Sequence, residues 1–157
     1  MKMSSRGHYG LRAMAQLALS YGHGPLALSE IARAEGLSLA YLEQIVAALR
    51  RSGLVEGSRG VHGGYELTRP PAEISAGEIL RVLEGPFLLA ACVGDGAVEG
   101  NCGRQAFCTT KSMWLRLRDS IAGVLDSTSL ADLCREVEVT TASPQTLGHS
   151  DLWRGLG

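Results

Sequence analysis

The chain has 157 residues, 45% of them hydrophobic and 20% charged, the balance of a folded protein long enough for one domain of ordinary size. No stretch approaches the ~18 apolar residues that span a bilayer, and no apolar segment follows Met1 to Arg6, so the sequence predicts no signal peptide, no membrane partner and a cytoplasmic location. The net charge of −1 hides an asymmetry: residues 1–70 hold eight Lys/Arg and five Asp/Glu, residues 71–157 seven and eleven. A basic half suits phosphates, but three surplus charges equally fit a chance spread of solvated side chains.

Leu11, Met14, Leu17, Ala18 and Tyr21 recur at helical spacing and predict a first helix from about Ser5 to Tyr21, ended by Gly22, Gly24 and Pro25. A short second helix follows over about Leu28 to Glu35, with Gly36 at its C-terminal cap. Ser38 has the position of an N-cap for a third helix, about Leu39 to Ser52, whose apolar stripe is Leu42, Ile45, Val46 and Leu49. Two short helices joined by a turn containing glycine form a helix-turn-helix pattern. Leu54-Val55-Glu56 and Tyr65-Glu66-Leu67 read as strands around the glycine-rich segment 57–64, which carries Arg59 and His62; the sum is a winged helix.

Beyond Pro70-Pro71, the run Ser75-Ala76-Gly77-Glu78 is a capping box opening a fourth helix to Glu84, stopped by Gly85-Pro86. Residues 92–105 are a polar, glycine-rich loop too long for a plain connector. A long fifth helix is predicted from about Ala106 to Leu125. Trp114, Leu117, Ile121 and Val124 share one face of it, either as internal core or as a dimer seam. Ser129-Leu130-Ala131-Asp132 resembles a last short cap and helix, and the chain turns polar from about Val139. The fold class is therefore mainly α with a small β-hairpin wing. Residues 1–70 form the winged helix-turn-helix, residues 71–135 a loop and long helix within the same compact domain, and residues 136–157 a polar tail.

Two sets of residues carry chemistry. On the third helix Ser38, Tyr41, Glu43, Gln44 and Arg51 are polar and near or along the face that enters a major groove in such folds. Gln pairs with adenine, Glu accepts from cytosine and Ser bonds several bases. Arg59 and His62 sit among wing glycines that permit close approach to phosphate or to the narrow minor groove. The same side chains also suit an ordinary solvated helix face and hairpin. Three of the four cysteines, Cys92, Cys102 and Cys108, fall within 17 residues. Thiolates suit zinc or an iron–sulfur cluster, but spacings of nine and five residues leave no close Cys pair of the zinc type. The thiols are otherwise free. Cys134, among Leu130, Leu133 and Val137, reads as a small hydrophobe.

The segments Met1 to Met14, Ser38 to Gln44 and Arg59 to Tyr65, together with the three-cysteine loop, resemble the bacterial iron–sulfur winged-helix transcription regulators of the IscR, NsrR and RirA type over about residues 1–135. The resemblance implies a homodimeric repressor or activator on a double-stranded DNA operator, with no small-molecule substrate and no enzyme activity. The long helix forms the dimer seam, and Cys92, Cys102 and Cys108 ligate a 2Fe–2S or 4Fe–4S cluster. It implies DNA-contacting or specificity roles for Ser38, Tyr41, Glu43, Gln44 and Arg59. The first cysteine gap is longer than in the IscR and NsrR branches. The His that IscR-like members place three residues after the last cysteine is Lys111 here, which has no lone pair to give. His8, donated by the partner subunit, is the expected fourth ligand, because NsrR-like relatives carry an acidic ligand at the matching position. Asp95, Glu99 and Cys134 are weaker candidates, and an exposed helix-start residue is the plain alternative for His8. Histidine ligation favours 2Fe–2S over 4Fe–4S. The expected function is cluster-controlled operator binding that senses redox, nitric oxide or iron status. The alternative is a regulator of the same fold that works by thiol oxidation or through a partner protein.

Overall fold

A computed structural model of the chain describes residues 3–60, 63–86, 93 and 108–135. The order is α1 (Ser5–Leu19), α2 (Leu28–Glu35), α3 (Leu39–Arg51), β1 (Val55–Ser58), β2 (Gly64–Leu67), a 3₁₀ turn at Pro71–Glu73, α4 (Ala76–Glu84) and α5 (Lys111–Ser127). The fold class is the expected one: helices around one core, with an antiparallel two-stranded wing pairing Val55 with Leu67 and Ser58 with Gly64.

The helix starts follow from side chains that satisfy orphan backbone N–H groups. Ser4 accepts from Arg6 and Gly7, Ser38 from Tyr41, and Ser75 from Glu78. Only half of the expected capping box forms at Ser75, because the Glu78 carboxylate takes the Arg69 guanidinium at 2.6 Å. α2 ends on Gly36 at φ +66°, a left-handed cap that favours glycine. α1 stops at Leu19, two residues short of the expectation, and Tyr21 lies exposed beyond it. α5 begins at Lys111, later than the expected start near Ala106, because residues 109–110 form a turn, and it runs to Ser127.

One apolar cluster holds the elements together. Met14 and Leu17 of α1, Ile31 of α2, Leu42, Ile45, Val46 and Leu49 of α3, and Ile79 and Leu83 of α4 meet in it. The wing joins this body through a contact that the sequence pattern did not reveal. Leu26 and Tyr65 exchange both backbone hydrogen bonds at 2.9 Å, giving the hairpin a one-residue third strand just before α2. Gly64 permits it: a Cβ there would lie 2.5 Å from the Leu26 carbonyl oxygen.

After α5 the chain returns to the body. Leu130 N–H donates to the Ile74 carbonyl at 2.9 Å, and the Leu130 side chain is fully buried in the shared core. Residues 130–135 are helical, opened by Ser129 and Asp132, which bond each other's backbone N–H. Cys134 is half-buried with its thiol 3.8 Å from the Ala15 carbonyl of α1, in keeping with a packing role. The tail expected to be polar from about Val139 lies outside the described residues.

Candidate DNA-binding face and thiol site

The amphipathic pattern of α3 buries one face and leaves Ser38, Leu39, Ala40, Glu43, Gln44, Arg50 and Arg51 outside. The named DNA candidates therefore divide. Glu43 and Gln44 are exposed on the outer face and free to reach base edges. Ser38 uses its oxygen to cap the Tyr41 N–H at 3.3 Å, leaving its hydroxyl proton available outward. Tyr41 is half-buried, and its ring meets Tyr9 of α1 edge-on at 6.4 Å, so it braces α3 as well as bordering the outer face. Arg59 is exposed at the end of β1, followed by Gly60 at φ +118°. His62 lies outside the described residues.

The first turn of α1 is held from α4. The Glu84 carboxylate accepts from the Ser4 hydroxyl and from the Gly7 N–H at 2.8 Å, placing a negative charge on the positive end of the helix. Close approach here requires glycine: a Cβ on Gly10 would lie 2.1 Å from a Leu83 methyl, and one on Gly7 would strike Glu84. His8 sits on the exposed side of this turn, edge-on to Tyr9 at 5.3 Å. The rings of His8, Tyr9 and Tyr41 thus run in contact from the start of α1 to α3.

Of the three clustered cysteines, Cys92 and Cys102 lie outside the described residues, and Cys108 stands just before α5. Its sulfur lies 3.4 Å from the Thr110 hydroxyl. Hydrogen bonds from the Thr110 side chain and backbone, with the Lys111 N–H and ammonium behind them, hold the thiol below its usual pKa. Val93, next to Cys92, is buried, and its carbonyl accepts from Arg118 of α5 at 3.2 Å. Among the described residues, Cys108 included, no three His, Cys, Asp or Glu side chains converge as around a metal ion.

α5 rests on α4, where Arg81 and Asp126 pair at 2.7 Å. None of its residues is fully buried. Trp114 and Ile121 are half-covered, while Leu117 and Val124 are 42% and 65% exposed. The stripe is therefore not internal core. Among the described residues no helix is long and apolar enough to cross a membrane.

A helix-turn-helix with an exposed polar face on its second helix, followed by a glycine-rich wing bearing an arginine, defines a winged-helix DNA-binding protein. The chain belongs to the Rrf2 family, described as iron-dependent transcriptional regulators, whose family model matches residues 3–136. It is 45% identical over 133 residues to the HTH-type transcriptional regulator CymR of Bacillus subtilis, covering 85% of this chain and 89% of that one. It is 34% identical over 149 residues to the regulator IscR of Escherichia coli, covering 95% and 90%. Among solved structures it matches CymR, the global cysteine regulator of B. subtilis, with a TM-score of 0.72 at 42% identity, covering 87% of this chain and 98% of that one. It matches IscR of T. potens with a TM-score of 0.72 at 40% identity, covering 94% of each. The protein is a DNA-binding transcription regulator, and its relatives are regulators rather than enzymes.

Proposed function

We propose that this regulator is a homodimer closed by α5. Its operator binding is controlled by an iron–sulfur cluster ligated by Cys92, Cys102, Cys108 and the partner subunit's His8. The observation that carries the reading is Cys108. It is an accessible thiol held toward its anionic form at the foot of α5, in a loop that supplies two more thiols. The donor set fits the group: thiolates are the usual ligands of such clusters, and a neutral imidazole is a good fourth. When bound, the cluster supplies a redox-sensitive anchor for the cysteine loop. The chain's own residues do the rest. Arg118 fixes the loop backbone at Val93, Glu84 ties the last turn of α4 to the first turn of α1, and the Tyr9–Tyr41 contact carries a shift of α1 to α3. Ser38, Glu43 and Gln44 read bases, Tyr41 braces the reading helix, and Arg59 and His62 of the wing hold phosphate or the minor groove.

A second reading is favoured by a specific observation. CymR of B. subtilis is titled a global cysteine regulator, and a solved CymR from Staphylococcus aureus is titled an oxidized form. The low-pKa Cys108 thiol suits direct oxidation or a partner protein just as well, with no cluster at all. Oxygen-free purification separates the two. The first reading expects a coloured protein with two irons and two sulfides per chain, consistent with 2Fe–2S, and a visible and paramagnetic resonance spectrum altered in His8→Ala. A colourless protein with no bound iron in every oxygen-free preparation would overturn it in favour of the second. A spectrum, potential and iron content unchanged in His8→Ala would remove His8 alone from the ligand set.

A further inference from the structure

A cleft of about 340 Å³ separates the first turn of α1 from the outer side of α3 and is lined by Arg6, Tyr41, Gln44, Ile45, Ala47 and Arg51. Among the described residues no carboxylate lines it. Arg12, Arg69, Arg81, Arg118 and Arg135 all pair with acids, whereas Arg6 and Arg51, like Arg33, Arg50, Arg59 and Arg116, take part in no ion pair among the described residues. Both are exposed. The Glu84 carboxylate, at the start of α1, is bound by Ser4 and Gly7 and is not part of the cleft's lining. Two guanidinium groups from different helices, a tyrosine, an amide and a floor of Ile45 and Ala47 make a seat for a phosphate oxyanion. Arginine suits phosphate because its planar fork donates two parallel hydrogen bonds.

The geometry points to this cleft as the seat of a DNA backbone phosphate, with Arg6 and Arg51 as positioning residues that set the depth and tilt of α3 in the groove. The inference rests on the DNA-binding reading of α3, whose base-reading Gln44 forms one wall of the same cleft. A phosphate held there lies beside the groove that α3 enters. Contacts of this kind fix register and orientation and carry no sequence information.

The test measures affinity for a duplex selected by the wild-type protein from a random pool, and for an unselected duplex, across a series of salt concentrations. Arg6→Ala and Arg51→Ala should each lower the slope of log K against log salt by about one unit, and the double variant by about two. The loss should be equal on both duplexes, and Arg51→Lys should keep the wild-type slope. Both sites are exposed, so melting temperatures should stay at the wild-type value. An unchanged slope in the double variant, with the wild type binding normally, overturns the inference and spares the DNA reading. A wild type that selects no duplex overturns both. Titration of inorganic phosphate into DNA-free protein at constant ionic strength separates the other source of the anion. Saturable binding lost in the double variant, together with unchanged DNA isotherms, would assign the cleft to a free anion and overturn the backbone seat.

Discussion

Helices α3 and α5 are both amphipathic and of comparable length, yet they stand in opposite relations to the core. α3 buries Leu42, Ile45, Val46, Ala48 and Leu49 within its own chain, while α5, four residues longer, buries none of its residues fully. α3 finds all the cover its apolar face needs within its own chain. The long helix leaves Met113, Leu117 and Val124 in solvent at helical spacing, a contiguous stripe rather than a scattered apolar residue. Such a stripe calls for a cover, and the proposed two-fold pairing through α5 would supply both that cover and a second copy of α3.

The largest effects should separate these two helices. Ile45→Ala removes a fully buried side chain from the centre of the core. It should cost about 2–5 kcal/mol in denaturant unfolding, with the transition staying cooperative. Ile121→Glu should leave the helical signal intact and turn the dimer into a monomer in light scattering. An unpaired polar group placed in an apolar contact costs roughly 2–7 kcal/mol, and each ~1.4 kcal/mol is tenfold in an association constant. A folded Ile121→Glu protein that stays dimeric would move the seam off this face and dissolve the contrast between α3 and α5.

Arg59→Ala should act more mildly, because it removes one exposed cation and no core contact. If Arg59 meets a phosphate, its removal should weaken binding alike on all sequences and lower the salt slope by about one unit. If it enters the minor groove, the loss should be concentrated on operators with narrow A·T tracts. Unchanged affinity on every duplex would show that the exposed arginine of the wing makes no DNA contact.

The contrast also explains which parts of the molecule were legible in the sequence. The bounds of α2 and α4, the Ser38 cap and the core stripe of α3 were readable because each rests on local chemistry: a capping oxygen, a glycine stop, a 3.6-residue period. The Leu26–Tyr65 bridge was not, since a one-residue strand has no periodicity and its partner lies 39 positions away. The Glu84 clasp on α1 was hidden for the same reason, as were the Arg6 and Arg51 walls of the cleft, which meet only after α1 folds against α3. Tyr41 looked wholly polar from its place on the outer helix, whereas packing against Tyr9 half-buries it. The choice between core and seam for the α5 stripe could not be made from spacing, because both use the same period. Only the exposure of Leu117 and Val124 decides against core.

The smallest expected effect concerns Cys108 and bears directly on how the cysteine half senses anything. The Thr110 side chain is the largest cause of the lowered thiol pKa, followed by the Thr110 backbone and then Lys111. A lowered pKa means that the thiolate survives to lower pH than in an ordinary cysteine. Since the thiolate is the reactive form, alkylation of apo protein by iodoacetamide should stay fast as pH falls and slow only below the usual thiol range. Thr110→Ala removes the first cause while leaving the backbone N–H groups in place. The rate-against-pH curve for Cys108, read by mass spectrometry of its peptide, should therefore move toward higher pH, and the rate at neutral pH should fall. Lys111→Ala should move it the same way and less far, because its charge is the smallest of these influences. Thr110→Ser should keep the wild-type curve, since it retains the hydroxyl and discards only the methyl. A Thr110→Ala curve that coincides with wild type would mean that the helix start, not the hydroxyl, sets the thiol, and would shift the control of Cys108 from a side chain to the backbone of α5.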